Sequence, residues 1–225
     1  MEILQKAIQE GQSALSEFDS KQVLAAYKIP ITKEVMIKDA SELDKAAAEV
    51  GYPLVMKGCS AEIAHKTEKG LIQVDLRNAE EAKAAFDDIS SKLESDGDAV
   101  LVQEMIKGQR ELVVGMTRDP QFGPCVMFGL GGIFTEILKD VSFRVAPLTR
   151  RDAMDLMDDF KGKKILDAIR GMEAVDREVL ADILIAVGQI GMEHDEIQEI
   201  DVNPLKILNG KPVAVDALVV LNKGE

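Results

Sequence analysis

A chain of 225 residues, 46% apolar and 30% charged, has the make-up of a globular protein, large enough for one domain or for two small lobes sharing a cleft, with nothing that suggests collagen or disorder. Its net charge of −13 argues against non-specific nucleic-acid binding and against attraction to anionic lipid, because both need excess Lys and Arg, so a polyanion must be met in a local pocket. No apolar run approaches the roughly 20 residues of a membrane span, Met1 to Glu10 lacks the basic start and apolar stretch of a secretory signal, and Cys59 and Cys125 fit neither a zinc pattern nor a disulfide framework, so a cytoplasmic location with free thiols is expected.

Ser16 to Tyr27 reads as a helix ending before Ile29-Pro30, Thr32 to Ile37 as a short strand, and Ser41 to Val50 as a helix stopped by Gly51. Leu54 to Lys57 forms a strand, Gly58 to Lys69 a polar loop, and Gly70 to Leu76 a second strand. Asn78 is placed to cap an amphipathic helix reaching about Leu93, and the apolar run from Asp98 to Met105 predicts a buried strand. Beyond Arg110 strands dominate: Glu111 to Thr117, Pro124 to Phe128, Ile133 to Lys139 and Ser142 to Val145, with a turn at Asp119 to Gly123. Helices over roughly Arg150 to Asp158 and Asp176 to Ile190 precede a last pair of strands about Asn209-Gly210. The order predicts mixed α/β layers, more antiparallel in the second half. There is no repeat and no flexible tether, and the boundary is expected near Lys107-Gly108, giving lobes of residues 1–107 and 108–225.

The carboxy-terminal pair of strands carries the first chemistry. In Glu199-Ile-Asp-Val-Asn203 polar and apolar residues alternate, so Glu199, Asp201 and Asn203 share one strand face. Asn209-Gly210 is a strong signal for a two-residue turn, whose central residues both need positive φ. Opposed residues then sum to 419, which sets Asn203 across from Asp216 with Cβ atoms about 4.5–5.5 Å apart. Mg²⁺ accepts such sparse protein ligation when phosphates and water complete its octahedron. A solvated acidic edge is the plain alternative, although a carboxylate inside Val213-Ala-Val-Asp-Ala-Leu-Val-Val220 needs a partner or a metal.

Lys57, at a strand end, can meet a phosphate or extend to water. Glu104 closes a buried strand before a glycine-containing connection, where it could face an adenine amino group, with the backbone of Met105 or Ile106 on the ring nitrogens. Gly129-Leu130-Gly131-Gly132 lets backbone N–H groups approach a phosphate, although it matches neither a Walker A sequence nor a full G-x-G-x-x-G. Arg144 could add charge to the same anion or sit in a surface ion pair.

Together these segments resemble the ATP-grasp domain of the ADP-forming acetyl-CoA synthetases, relatives of the succinyl-CoA synthetase β chain. The resemblance rests on Tyr-Pro-Leu-Val-Met-Lys57-Gly, Ala-His65-Lys-Thr-Glu-Lys-Gly70, Gln-Glu104-Met-Ile, Arg-Glu111-Leu, Gly-Leu-Gly-Gly132-Ile-Phe-Thr-Glu and Glu-Ile-Asp201-Val-Asn203-Pro-Leu, and spans most of the chain. It implies an α/β (α+β) fold with two lobes clamping a nucleotide, and an acid–thiol ligase: acyl-CoA + ADP + phosphate ⇌ acid + ATP + CoA. Lys57 would contact the α or β phosphate, Glu104 with Met105 and Ile106 the adenine, and Glu111 the ribose or a neighbouring group. Asn203 and Asp216 would hold Mg²⁺. His65 would carry the phosphoryl group, a role that suits an imidazole near neutral pH. Asp201 would orient the His65 ring or support the metal. His194 has no such context and reads as structural.

No CoA-binding Rossmann unit and no primary phosphorylated histidine occur in the chain. An α subunit is therefore expected as partner, in an assembly such as α₂β₂, with negligible activity without it. Met1 and the carboxy end favour a separate subunit over a piece of a fused chain. A stand-alone carboxylate–amine ligase, which needs no histidine, and a non-catalytic nucleotide-sensing subunit are the alternatives.

Overall fold

The computed structural model of the chain describes residues 1–60, 70–93, 97–132 and 140–222. His65 and the strand expected over residues 133–139 lie outside the described residues. Among the described residues the helices are α1 (Glu2–Gln9), α2 (Glu17–Ala26), α3 (Leu43–Val50), α4 (Ala79–Ser90), α5 (Arg150–Asp159) and α6 (Arg177–Glu193). The strands are β1 (Glu34–Ile37), β2 (Leu54–Cys59), β3 (Ile72–Leu76), β4 (Ala99–Glu104), β5 (Glu111–Asp119), β6 (Gly123–Leu130), β7 (Val141–Val145), β8 (Ile197–Leu208), β9 (Lys211–Ala214) and β10 (Ala217–Leu221). The chain divides into two compact units, one of residues 16–18 and 32–106, the other of residues 1–15, 19–31 and 107–225.

In the first unit the strands form an antiparallel sheet in the order β1-β4-β2-β3. On α4 the buried Ala82, Ala85, Phe86 and Ile89 recur at i, i+3, i+4 and i+7, the spacing that turns one helix face to a core. The helix starts where the Asn78 side chain accepts a hydrogen bond from the Glu81 N–H at 3.0 Å. That stripe packs with Leu43, Ala46 and Ala47 of α3 against Leu54, Met56, Val100 and Val102 of the sheet.

In the second unit the sheet runs β10-β8-β5-β6-β7, with β9 also on β8, again antiparallel. One face is covered by α5 and α6, whose Leu156, Leu180, Leu184 and Val187 join Val126, Phe128, Ile200 and Val202 in one core. The Arg118 guanidinium donates to the Gly191 and His194 carbonyls at 2.7 and 3.0 Å and so closes the end of α6. Leu4 and Ala7 of α1, Leu15, and Val23 and Leu24 of α2 belong to the same core. This corrects the lobe assignment expected from sequence. Residues 1–15 and 19–31 go with the carboxy-terminal part of the chain because their apolar side chains are buried there, and because Ala14 pairs with Val220 and the Ala214 N–H donates to the Pro30 carbonyl at 2.8 Å.

The hairpin register is the one the turn dictates. Leu208 faces Lys211, Ile207 faces Pro212 and Leu205 faces Ala214, each pair summing to 419, and Asn209 and Gly210 have φ of 49° and 76°. The same sum continues beyond β9, with Val202 opposite Ala217 and Glu199 opposite Val220. The expected single strand through Val213 to Val220 is interrupted: Val215 and Asp216 form a break between β9 and β10. A Cβ at Gly210 would stand 2.7 Å from the Ala174 carbonyl oxygen, and the position has positive φ. Gly210→Ala is expected to cost roughly 1–3 kcal/mol, read as a lower midpoint in urea unfolding.

Candidate nucleotide and metal site

In the first unit Lys57 does not extend to water. All six positions of β2 are buried, and the Lys57 ammonium is 2.6 Å from Oε1 of Glu17 at the start of α2, with both side chains almost wholly enclosed. Two opposite charges taken out of water require each other, so this pair fixes the lysine head and fastens Ser16–Phe18 to the unit. Glu104 ends β4 half-buried, its Oε1 accepting the Lys33 N–H at 2.7 Å, which leaves acceptor capacity on a carboxylate with about four lone-pair sites. The Met105 N–H donates to the Pro53 carbonyl at 3.2 Å, so of the two backbones expected to face an adenine ring this donor is engaged. Ile106 is buried beside it in sequence.

In the second unit the glycine run and Glu111 come together. Leu112 on β5 faces Leu130 on β6, and the Gly131 N–H donates to the Glu111 carbonyl at 2.9 Å. A Cβ on Gly131 would stand 2.6 Å from the Leu112 carbonyl oxygen, and one on Gly132, which has φ of +64°, 2.5 Å from Glu111 Oε2. Side chains at these two positions would displace the carboxylate or the strand. Gly129 faces Val113 and Val141 in the same sheet, and Glu111 Oε1 is also 3.1 Å from the Lys206 ammonium.

Arg144 is not brought to this run. It faces Val126, a core residue, and so lies on the helix-covered side of the sheet, where it pairs with Asp159 at the end of α5. Gly129 stands on the opposite side, because strand side chains alternate. Of the two readings open in the sequence, the structure places Arg144 in an ion pair.

Glu199, Asp201 and Asn203 lie along the side of β8 that faces away from Ile200 and Val202, and Asp216 is near enough for its charge to act on Asp201. The Asn203 N–H donates to the Asp216 carbonyl at 3.3 Å, and the Val215 N–H to the Pro204 carbonyl at 3.1 Å. Asp201 sits between Gly115 on β5 and Leu218 on β10. Burial, then the charges of Glu199 and Asp216, push its carboxyl up from 3.8 to about 6. The donor set suits Mg²⁺: two hard oxygens in register, an amide and a carboxylate, beside a crowd of negative charge that a cation would relieve. Among the described residues no group of three or more His, Cys, Asp and Glu side chains is disposed to hold a metal ion.

Sequence reasoning missed α1, the Glu17 partner of Lys57, and two further buried polar residues of α2, Ser20 and Lys21. The signal was present: Glu17, Ser20, Lys21 and Leu24 follow i, i+3, i+4, i+7, the spacing of a core stripe, with polar residues at three of its four positions. A polar cavity of about 300 Å³ opens at the turn end of β8 and β9, lined by Lys107, Gln109, Glu173 and Asn209 among others, and contains none of the expected nucleotide residues.

A profile of the ATP-grasp domain matches residues 6–221. The chain belongs to the ATP-grasp family. Among its ATP-grasp relatives, the ADP-forming acetate–CoA ligase I subunit β of Pyrococcus furiosus is 44% identical over 98% of this chain and 97% of that subunit. The ADP-forming acetate–CoA ligase I of Archaeoglobus fulgidus is 37% identical, and the match spans 33% of that longer protein. A solved chain of acetyl-coenzyme A synthetase 1 from Ca. Korarchaeum cryptofilum, in complex with coenzyme A, Ca-AMPCP and HgCl⁺, superposes with a TM-score of 0.93 at 40% identity, over 98% of this chain and 99% of that one. Another structure of that enzyme, with coenzyme A and Mg-AMPPCP and with its phosphohistidine segment pointing towards the nucleotide-binding site, gives a TM-score of 0.87 at 40% identity, with 98% and 99% covered. No helix among the described residues is long and apolar enough to cross a membrane.

Two outcomes follow from the geometry. Glu17→Ala leaves a buried ammonium without this carboxylate and should cost about 3–5 kcal/mol, measured by chemical denaturation. Between pH 3.8 and about 6 the folded chain holds a proton on Asp201 that the unfolded chain has lost, so this group's contribution to stability falls as pH rises through that window. Asp201→Asn removes that fall, and without divalent cation the variant's Tm should gain on wild type as the pH is raised from 4 to 7.

Proposed function

We propose that this chain is the nucleotide-binding β subunit of an ADP-forming acyl-CoA ligase, catalysing acyl-CoA + ADP + phosphate ⇌ acid + ATP + CoA together with a CoA-binding α subunit, as α₂β₂ in the cytoplasm. The observation that carries the reading is the 44% identity across nearly the whole length of the Pyrococcus furiosus ligase β subunit. Asn203 held opposite Asp216 on a carboxylate-rich sheet face adds support from this chain's own geometry.

Residues of matching chemistry occur within each unit. Lys57 supplies a fixed positive charge for a nucleotide phosphate, and Glu104 an acceptor for the adenine amino group. Glu111 and the glycines beside it offer a carboxylate and close backbone approach for the ribose and phosphates. Asn203 and Asp216 hold Mg²⁺, which neutralises phosphate charge when bound. Asp201 keeps a carboxyl beside that pair.

The phosphoryl group travels between the partner and ADP by way of His65. A ring nitrogen of His65 takes the phosphoryl group as the N–P bond on the partner's phosphohistidine breaks. A terminal oxygen of ADP then attacks phosphorus, the His65 N–P bond breaks, and ATP is formed. His65→Ala in the reconstituted α and β subunits should abolish transfer of radiolabelled phosphoryl from the phosphorylated partner to ADP while leaving ADP binding intact. Full transfer in that variant would overturn the relay and favour a ligase that forms acyl phosphate without a histidine. Normal Mg·ADP binding with no turnover in the presence of the partner and acyl-CoA would instead point to a nucleotide sensor.

A further inference from the structure

Helix α2 buries polar side chains where a core stripe would carry apolar ones. Ser20 and Lys21 are both 0% exposed, and Lys21 is among the largest fully enclosed side chains of the protein. Both are directed at one stretch, the break between β9 and β10 and the strand that follows it. Ser20 Oγ accepts the Val219 N–H at 3.1 Å, and the Lys21 ammonium donates to the Val215 carbonyl at 3.3 Å. An enclosed ammonium is costly, and an apolar side chain of similar length would fill the same space without that cost.

The Val215 carbonyl belongs to the peptide group that leads into Asp216. In this two-residue break the strand pairing that would fix the backbone is interrupted, and hydrogen bonds from β8 and from α2 help to hold it. The Val215 N–H reaches Pro204, the Asp216 carbonyl accepts from Asn203, and the Val215 carbonyl accepts from Lys21. The first two come from β8 across the hairpin, and the third comes from α2, 194 positions away in sequence. It ties the peptide plane that sets the origin of the Asp216 side chain to α2.

We infer that Lys21 is a positioning residue for Asp216: by fixing the Val215–Asp216 peptide it sets the carboxylate opposite Asn203 for a divalent cation. This rests on the assignment of Asn203 and Asp216 as the metal pair. Groups that orient metal ligands from behind contribute about 10–100-fold to metal affinity.

The test titrates Mn²⁺, in place of Mg²⁺, into the full chain with ADP, followed by electron paramagnetic resonance of the free ion, for wild type, Lys21→Met, Lys21→Gln and Asp216→Asn. Lys21→Met keeps the bulk and removes the donor. It should weaken Mn²⁺ binding about 10-fold or more, while ADP binding in EDTA stays at the wild-type value. Lys21→Gln retains an N–H donor on a side chain one bond shorter and should fall between the two. A purely packing role would lower the Tm of Lys21→Met and leave its Mn²⁺ affinity unchanged. That result, with Asp216→Asn having lost Mn²⁺, overturns the inference, and the same result in Lys21→Gln overturns it if Lys21→Met does not fold. Asp216→Asn binding Mn²⁺ as wild type does would overturn the metal pair itself.

Discussion

Side chains of a strand point alternately to the two faces of its sheet, and that sidedness governs everything proposed for the second unit. β8 turns Ile200 and Val202 into the core, which sends Asp201 and Asn203 to the other face and leaves Glu199 exposed beside them. The face is acidic because the core leaves it nowhere else to be. The two-residue turn at Asn209-Gly210 then fixes which residues of β9 and β10 stand across from it. Where the pairing is interrupted, at Asn203-Pro204 and Val215-Asp216, the core phase of β8 also shifts, from Ile200 and Val202 to Leu205 and Ile207. The irregularity and the candidate ligands coincide. Extra residues in a strand commonly re-aim side chains next to functional sites.

Much of this was legible in the sequence for local reasons. Period-two alternation in Glu199 to Asn203, the turn signal and its arithmetic, and the Asn78 cap each depend on a few neighbouring residues, and the structure has them as read. The ATP-grasp relationship was carried by motifs spread over most of the chain. What failed to show itself was non-local. The partner of Lys57 lies 40 positions away, at the head of a helix whose buried face is polar. Arg144 looked available for an anion until β7 placed it beside Val126, on the side covered by α5 and α6.

The amino-terminal segment shows why connectivity is a poor guide to lobe membership. Its apolar residues were read with the strands that follow them in sequence, yet they complete a core built mostly from residues more than a hundred positions later. Arg110 is similar. Its guanidinium gathers the carbonyls of Ile165, Asp167 and Glu173, holding an irregular stretch that lacks a sheet to satisfy it. Such side chains do for loops what ladders do for strands.

The separation between Asn203 and Asp216 behaves as a fixed quantity. Lengthening the loop beyond Leu208 and Lys211 would leave that pairing intact, whereas one residue inserted within β9 would bring Val215 opposite Asn203 and turn the following apolar positions outward. Natural variation in this hairpin should therefore fall in the turn, with insertions and deletions absent from the strands on either side of it.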